Sequence, residues 1–167
     1  MCDNYYTNQN IFIIKKIILI AAMALGFVVT AAAQPRAVGI RGGYGVEATY
    51  QHTLNETNFI EANLGLNGFD ALNVAATYNW MLAQPQWTSR GDWGFYAGPG
   101  VAVGFDFNSA TAGVNVGAVG QIGLEYTFWF PLQLSIDIRP QLGVHIGNGD
   151  LFHVSGFYPT LAARYRF

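Results

Sequence analysis

The amino-acid sequence predicts an all-β protein, a closed antiparallel up-and-down transmembrane β-barrel of eight strands with a lumen filled by polar side chains. Apolar and polar residues alternate with a period of two through most of the chain after residue 33, which is typical of strands whose two faces meet different surroundings. Only 11% of the residues are charged, whereas soluble domains carry about 25%. Arginines and carboxylates share the polar face of the strands, so that face must be hydrated or internally paired.

The first 33 residues have the pattern of a secretory signal peptide. Lys15 and Lys16 precede the apolar run Ile17–Val29, and small residues follow it, as in a positively charged region, an apolar region and a cleavage site. A transmembrane anchor is the alternative, but a run of about 13 residues is shorter than the roughly 20 that a spanning helix needs. We therefore expect a cleaved signal peptide at 1–33 and a barrel domain at 34–167.

Cysteine and histidine usage argues against a catalytic or metal site. The single cysteine, Cys2, lies in the predicted signal peptide, so the mature chain has no disulfide, thiol nucleophile or cysteine metal site. No histidine cluster has the spacing of metal ligands. His52 is expected to be exposed in a polar loop, and His145 to be hydrogen-bonded inside the barrel. No cofactor is expected.

The alternation divides into seven clear runs. They lie within residues 38–50, 59–67, 72–82, 93–105, 114–128, 132–146 and 157–167. A bacterial single-chain barrel has an even number of strands, and the chain after residue 33 accommodates eight strands of about 9–11 residues with their connections. One strand is therefore unaccounted for. A long run may be divided, with Asp92–Asp106 and Gln133–Ile146 as candidates, or a poorly patterned strand lies within a loop.

Charge placement decides which face of the strands points inward. A soluble sandwich or lipocalin-like barrel would need many charged residues on its outer face, and this chain has too few. In a membrane barrel the apolar face contacts lipid and the polar face lines the interior. Four positive and four negative residues then share one enclosed space, where pairing lowers the cost of burial. The predicted interior ion-pair network consists of Arg41, Glu47, Glu61, Glu125, Asp137, Arg139, Arg164 and Arg166.

Aromatic residues fall near the ends of the apolar rows, as in the interfacial girdles of membrane barrels. They are Tyr44, Tyr50, Tyr78, Trp80, Trp93, Phe95, Tyr126, Phe128, Trp129 and Tyr165. The alternative explanation is that aromatic residues simply favour strands.

Several segments resemble the small OmpA/OmpX-type outer-membrane β-barrel proteins. The resemblance is carried by GQIGLEYTF, PLQLSIDIRP and the terminal ARYRF, and more loosely by GIRGGYG and WGFYAGPGVAVG. It implies that Tyr165 and Phe167 form a signal that the outer-membrane insertion machinery reads. Pairing of an unclosed edge strand with that machinery would precede closure of the barrel.

The sequence therefore predicts an integral outer-membrane protein of a Gram-negative bacterium, with a structural or surface-interaction role in the cell envelope and no catalysis. The expected partners are outer-membrane lipid, lipopolysaccharide and the insertion machinery. Nucleic acid is not an expected partner, because the formal net charge is −2, and the protein is expected to be monomeric. A narrow, porin-like channel is an alternative, although the interior of eight strands is just wide enough to be filled by side chains.

A second alternative is a lipid A-modifying hydrolase. His153 and Ser155 are two residues apart, within reach of a base–nucleophile contact, and this spacing is similar to the H-x-S element of outer-membrane lipid A deacylases. Counting back from Phe167 in steps of two places both residues on the lipid side. The resemblance is incomplete, since Gly156 replaces the asparagine of that family and no carboxylate follows Ser155.

Overall fold

The computed structural model describes residues 35–43, 45–67, 71–108, 112–147 and 151–167. Gln34–Phe167 forms one compact unit. The predicted signal peptide, with Cys2, and the aromatic residue Tyr44 lie outside the described residues. In the described part of the chain, no helix is long and apolar enough to cross a membrane.

The protein is all-β, as the alternation predicts. Its strands are β1 (Arg36–Gly42), β2 (Val46–Thr53), β3 (Asn58–Asn67), β4 (Ala71–Ala83), β5 (Asp92–Asp106), β6 (Gly113–Thr127), β7 (Leu132–Ile138), β8 (Gln141–Gly147), β9 (Phe152–Ser155) and β10 (Pro159–Arg166).

The strands form a closed antiparallel barrel with eight strand positions. Each of β1 to β6 pairs with the next strand along the chain. Strands β7 and β8 both pair with β6 and together occupy the seventh position. Strands β9 and β10 occupy the eighth, because β9 pairs with β8 and β10 with β7. Pairing of β10 with β1 closes the barrel, so the predicted eight-stranded architecture is confirmed.

The strand that the seven runs left unaccounted for lies within the run 38–50. It does not lie in either of the two runs that were predicted to be divided. The chain reverses between Gly42 and Val46, which face each other in the β1–β2 register. Because three residues connect Gly42 to Val46, the residues that point outward have even numbers on both strands. Ile40 and Val46 are both exposed, and the alternation continues through the reversal as if through one strand.

The two predicted division points have different outcomes. Residues Asp92–Asp106 form one continuous strand, so a division there is wrong. The run Gln133–Ile146 is interrupted at Pro140, which has no backbone N–H for a ladder hydrogen bond. Gly120 of β6 donates a hydrogen bond to the Pro140 carbonyl (2.9 Å). Because β7 and β8 both pair with β6, the interruption lies within one barrel strand and does not create a second.

A further interruption separates β9 from β10 and shifts the alternation. Gly156 has a φ of 82°, a left-handed conformation that glycine adopts without steric cost. Before it, Phe152 and Val154 are exposed; after it, Leu161 and Tyr165 are exposed. The outward positions change from even to odd residue numbers across this segment.

Candidate functional site: a buried ion-pair network and two cavities

The buried side chains of the barrel are predominantly polar or charged, and the exposed ones are predominantly apolar. Only seven apolar side chains are buried among the described residues, and these include Phe59 and Tyr96. The largest fully buried side chains include Arg41, Arg164 and Glu61. Alternation places polar residues of every wall strand on one face, and closure of the barrel turns that face inward.

Glu61 of β3 is the centre of the network. Its Oε1 lies 3.0 Å from Nη1 of Arg41 and 3.0 Å from Nη2 of Arg164. Gln51 donates a hydrogen bond to Oε2 (3.1 Å) and Asn63 donates one to Oε1 (3.1 Å). Gln121 donates a longer hydrogen bond to Oε1 (3.4 Å). Since Glu61 is fully buried, two guanidinium groups and three amides replace the water that its carboxylate loses.

Arg41 joins the carboxylates of three other strands. Besides Glu61, it binds Oδ1 of Asp137 on β7 through Nη2, and its Nε lies 3.6 Å from Oε2 of Glu47 on β2. Glu47 also accepts a 2.5 Å hydrogen bond from Nη2 of Arg139. Through Arg41, the network therefore crosses the barrel from Glu61 on β3 to Asp137 on β7, which lie at opposite strand positions.

Hydroxyl groups satisfy much of the remaining hydrogen-bonding capacity. Arg164 donates through Nε to Oγ1 of Thr49 (3.1 Å) and through Nη1 to Oγ of Ser135 (2.8 Å). Asp137 accepts hydrogen bonds from the Tyr96 hydroxyl (3.1 Å) and the Thr160 hydroxyl (3.0 Å). A buried ion pair is costly unless such additional bonds are made, and here the four hydroxyl groups come from four strands.

Glu125 and Arg166 lie outside this network. Glu125 is buried and Arg166 half-buried, yet within the described part of the chain neither forms an ion pair. The contacts therefore unite Arg41, Glu47, Glu61, Asp137, Arg139 and Arg164 but not the whole predicted set. Both residues lie at one end of the barrel, away from the network. Arg166 is the last residue of β10, and Glu125 pairs with Gly94 near the start of β5.

The neutral groups that complete the network could not be identified from the sequence. Gln51, Thr49 and Tyr96 lie on the polar face that the alternation identifies, but their partners depend on the register between distant strands. Arg36 was also missed, and it is buried at the start of β1. It lies five residues before Arg41, an odd separation that the period-two alternation would place on the opposite face, so the pattern does not predict its burial.

The structure agrees with the prediction for His145 and contradicts the one for His52. His145 is buried, with Nδ1 2.7 Å from Oδ1 of Asn115, in agreement with a hydrogen-bonded interior histidine. The prediction of a loop position for His52 is wrong. His52 belongs to β2, is half-buried and stacks on Tyr50 with ring centroids 6.4 Å apart.

Two cavities lie on opposite sides of the network. We call the end where β1 begins and β10 finishes the terminal end, and the opposite one the hairpin end. The hairpin-end cavity has a volume of about 430 Å³, and its lining includes Glu47, Asp106 and Arg139. The terminal-end cavity has a volume of about 390 Å³, and its lining includes Glu125 and Arg166. Arg41 lines only the first.

The predicted placement of Ser155 on the outer face is wrong. Ser155 pairs with the buried Gln141, is half-buried and lines the hairpin-end cavity. The parity shift at Gly156 explains the error, because counting in steps of two from Phe167 assumes an uninterrupted strand. His153 lies opposite Gly143 in the register, but its side chain lies outside the described residues.

Aromatic side chains concentrate at the terminal end. Trp93 and Tyr126 have ring centroids 4.7 Å apart, and Tyr126 and Phe128 4.6 Å apart. Trp129 continues this series at the β6–β7 turn, where it packs against Phe128. These residues are among those predicted for an aromatic girdle.

Among the described residues, no three histidine, cysteine or acidic side chains are placed to hold a metal ion. No family model matches this chain, and no curated protein is significantly similar to it.

Proposed function

We propose that this protein is an integral outer-membrane β-barrel of a Gram-negative bacterium, with a structural or surface-interaction role in the cell envelope. The observation that carries the proposal is the position of its exposed charges. Among the described residues, only Glu56, Arg90 and Asp92 are exposed and charged, and they lie in the terminal-end loops or at the first residue of β5. The outward face of the described wall carries no exposed charge.

An outward face of this kind is best suited to contact with lipid. Large apolar side chains such as Ile40, Leu142 and Leu161 are more than half exposed on the outward face. A closed barrel satisfies its backbone hydrogen bonds within the wall, as the hydrocarbon core of a bilayer requires. In water the same surface would be a continuous apolar patch far larger than monomeric proteins expose.

The interior favours a structural role over transport. Between the two cavities, Arg41, Glu61 and Arg164 are joined by ion pairs, and Phe59 packs against Tyr96 with ring centroids 5.2 Å apart. These side chains occupy the middle of an eight-stranded barrel, which is narrow to begin with. We assign the protein no channel and no catalytic activity. The interior position of Ser155 removes the geometric support for a lipid-facing hydrolase.

Export and insertion complete the proposal. The predicted signal peptide would direct the chain across the inner membrane, and Tyr165 and Phe167 would present the closing strand to the insertion machinery. Both aromatic side chains are exposed and adjacent, with ring centroids 6.3 Å apart. The resemblance to OmpA/OmpX-type barrels supports the same localisation. The inserted protein would be a monomer surrounded by outer-membrane lipid and lipopolysaccharide.

Cell fractionation tests the localisation directly. We expect the full chain, expressed with its own leader in a Gram-negative host, to fractionate with the outer membrane. We also expect it to migrate differently on gels before and after boiling, because a closed barrel resists unfolding by detergent. A soluble periplasmic protein without this heat-dependent shift would refute the proposal.

A further inference from the structure

The hairpin-end cavity presents two side-chain amides and a hydroxyl group that are available to a ligand. Asn73, Gln141 and Ser155 line it, and none of these side chains forms a hydrogen bond with another described residue. None of their polar atoms is sealed off without a partner, so a molecule in the cavity can reach them. Gln141 is only 7% exposed. A polar group enclosed to this extent normally has a hydrogen-bond partner, which a bound molecule would provide.

These groups lie on opposite walls of the cavity. Gln141 and Ser155 face each other in the β8–β9 register, and the Cβ atoms of such a pair are roughly 4.5–5.5 Å apart. Asn73 belongs to β4, the fourth barrel position, which lies across from the eighth position and therefore from β9. A molecule in the cavity would thus be held from both sides.

Asp106 adds a carboxylate whose orientation is already fixed. Asn115 donates a hydrogen bond from Nδ2 to Oδ2 of Asp106 (2.6 Å), and its Oδ1 lies 2.7 Å from Nδ1 of His145. The side chain of Asp106 remains 24% exposed and lines the cavity. Side chains that are held in this way need no rearrangement when a ligand binds.

The charges of the cavity favour a ligand without net charge. Nη2 of Arg139 lies 2.5 Å from Oε1 of Glu47, and Nε of Arg41 lies 3.6 Å from Oε2 of the same residue. Both arginines of the lining are therefore already paired with a carboxylate. An anionic ligand would have to compete with Glu47 for them, and a charge enclosed without a partner is costly.

We propose that the hairpin-end cavity binds a neutral saccharide of one or two sugar rings. The amides of Asn73 and Gln141 each carry donors and an acceptor, so each can form paired hydrogen bonds with neighbouring sugar hydroxyls. Asp106 would accept a hydrogen bond from a further hydroxyl. The exposed ring of Tyr158, which also lines the cavity, would cover the apolar face of a sugar ring.

The size of the cavity agrees with such a ligand. Its volume of about 430 Å³ lies within the range of small-molecule sites, roughly 300–1,000 Å³. The inference goes beyond the proposed structural role, and it depends on the interior of the barrel but not on the lipid around it.

Titration calorimetry can test sugar binding. The folded protein would be kept in a polyoxyethylene detergent, because a detergent with a sugar head group would compete for the cavity. The probes are glucose, galactose, N-acetylglucosamine and lactose, together with the 6-phosphate of each monosaccharide. We expect at least one neutral sugar to bind at one site per chain. A 6-phosphate should bind roughly tenfold more weakly than its parent sugar, because its charge has no free partner in the cavity.

Two variants locate the site in the hairpin-end cavity. Gln141→Ala should weaken binding roughly tenfold, as for the loss of a hydrogen-bonding group. Gly104→Leu should abolish binding by filling the cavity that Gly104 lines. A Cβ added there meets only ordinary contacts, the nearest atom being Cβ of Asn115 at 3.5 Å. Gln133→Ala is the matched control, since it removes a similarly buried glutamine from the terminal-end cavity, and it should leave the affinity unchanged.

Three results would overturn the inference. They are the absence of binding by all four neutral sugars, equal affinity for a sugar and its 6-phosphate, and unchanged affinity in both Gln141→Ala and Gly104→Leu. The heat-dependent gel shift would show that each variant is folded. None of these results bears on the membrane location, which cell fractionation tests separately.

Competition with purified lipopolysaccharide distinguishes two sources of the saccharide. Loss of sugar binding in its presence would identify the sugar chain of lipopolysaccharide as the ligand. Unchanged binding would identify a dissolved saccharide. Both results support the proposed site.

Discussion

At the scale of single residues, Glu61 shows how a charge can be buried completely in this barrel. Two arginines and three amides surround its carboxylate, so every charge in the group has a partner. Alternation in the sequence predicts that Glu61, Arg41 and Arg164 face the same side. It does not predict which of them meet, because the contacts depend on the register of β1, β3 and β10 around the closed barrel.

Replacing Glu61 should therefore be among the most damaging single changes. We expect Glu61→Gln to lower the free energy of unfolding by about 3–5 kcal/mol, because Arg41 and Arg164 would keep their buried charges without the central carboxylate. Urea unfolding of the folded protein in detergent or vesicles would measure the change. Glu56→Gln, the same substitution at an exposed loop position, should change the stability by no more than about 0.5 kcal/mol. Equal effects at the two positions would contradict the central role of Glu61.

At the scale of elements, the number of strands could be predicted from the chain length and the rule of even strand number, but the position of the eighth strand could not. The three-residue reversal between β1 and β2 preserves parity, so no change of pattern reveals it. Conversely, the interruptions at Pro140 and Gly156 look like strand ends but lie within single barrel positions. The placement of Ser155 failed for the same reason, since only the structure shows the parity shift after β9.

The distance of an outward-facing residue from the bilayer midplane should determine how much a charged substitution there destabilises the barrel. Ile136 lies in the middle of β7 and is exposed on the outward face. We expect Ile136→Arg to destabilise the inserted barrel by about 2–4 kcal/mol if it lies near the bilayer midplane. Leu82→Arg, near the end of β4 and also exposed on the outward face, should cost only about 0–1 kcal/mol, as for positions near the interface. Unfolding in vesicles would compare them, and an equal or reversed order would mean that this face does not contact hydrocarbon.

The closing strand allows a separate test of insertion. Phe167 exchanges backbone hydrogen bonds with Arg36, from N to O in both directions (2.8 and 3.0 Å). Phe167→Ala retains these bonds, so we expect the barrels that form to unfold within about 1 kcal/mol of the wild type. The substitution should nevertheless lower the yield of inserted protein if the aromatic ring is part of the insertion signal.

The control for this experiment is Phe157→Ala, which removes an equally exposed aromatic ring between β9 and β10. The yield would be measured as the heat-modifiable fraction in outer membranes. A similar yield for both variants would show that the terminal ring has no special role in insertion.

At the scale of the whole molecule, the low content of charged residues is the property of the sequence that predicts the fold most reliably. A chain with 11% charged residues cannot cover an ordinary soluble surface, and the structure places most of its described charges inside the barrel. The two cavities could not be predicted in this way. Their lining depends on the register between distant strands, and alternation within each strand carries no information about that register.

The same arrangement predicts how the whole protein should behave in a planar bilayer. The two cavities approach the middle of the barrel from opposite ends, and Phe59, Tyr96 and the Glu61 network separate them. We expect the wild-type protein to show no ion conductance steps. The double variant Phe59→Ala/Tyr96→Ala should show conductance, because two buried rings are removed while the ion pairs of Glu61 are kept. Leu161→Ala, an exposed position on the outward face, should remain silent. Steps of equal size in wild-type and double-variant protein would mean that these side chains do not block the barrel, and the channel alternative would then replace the structural one.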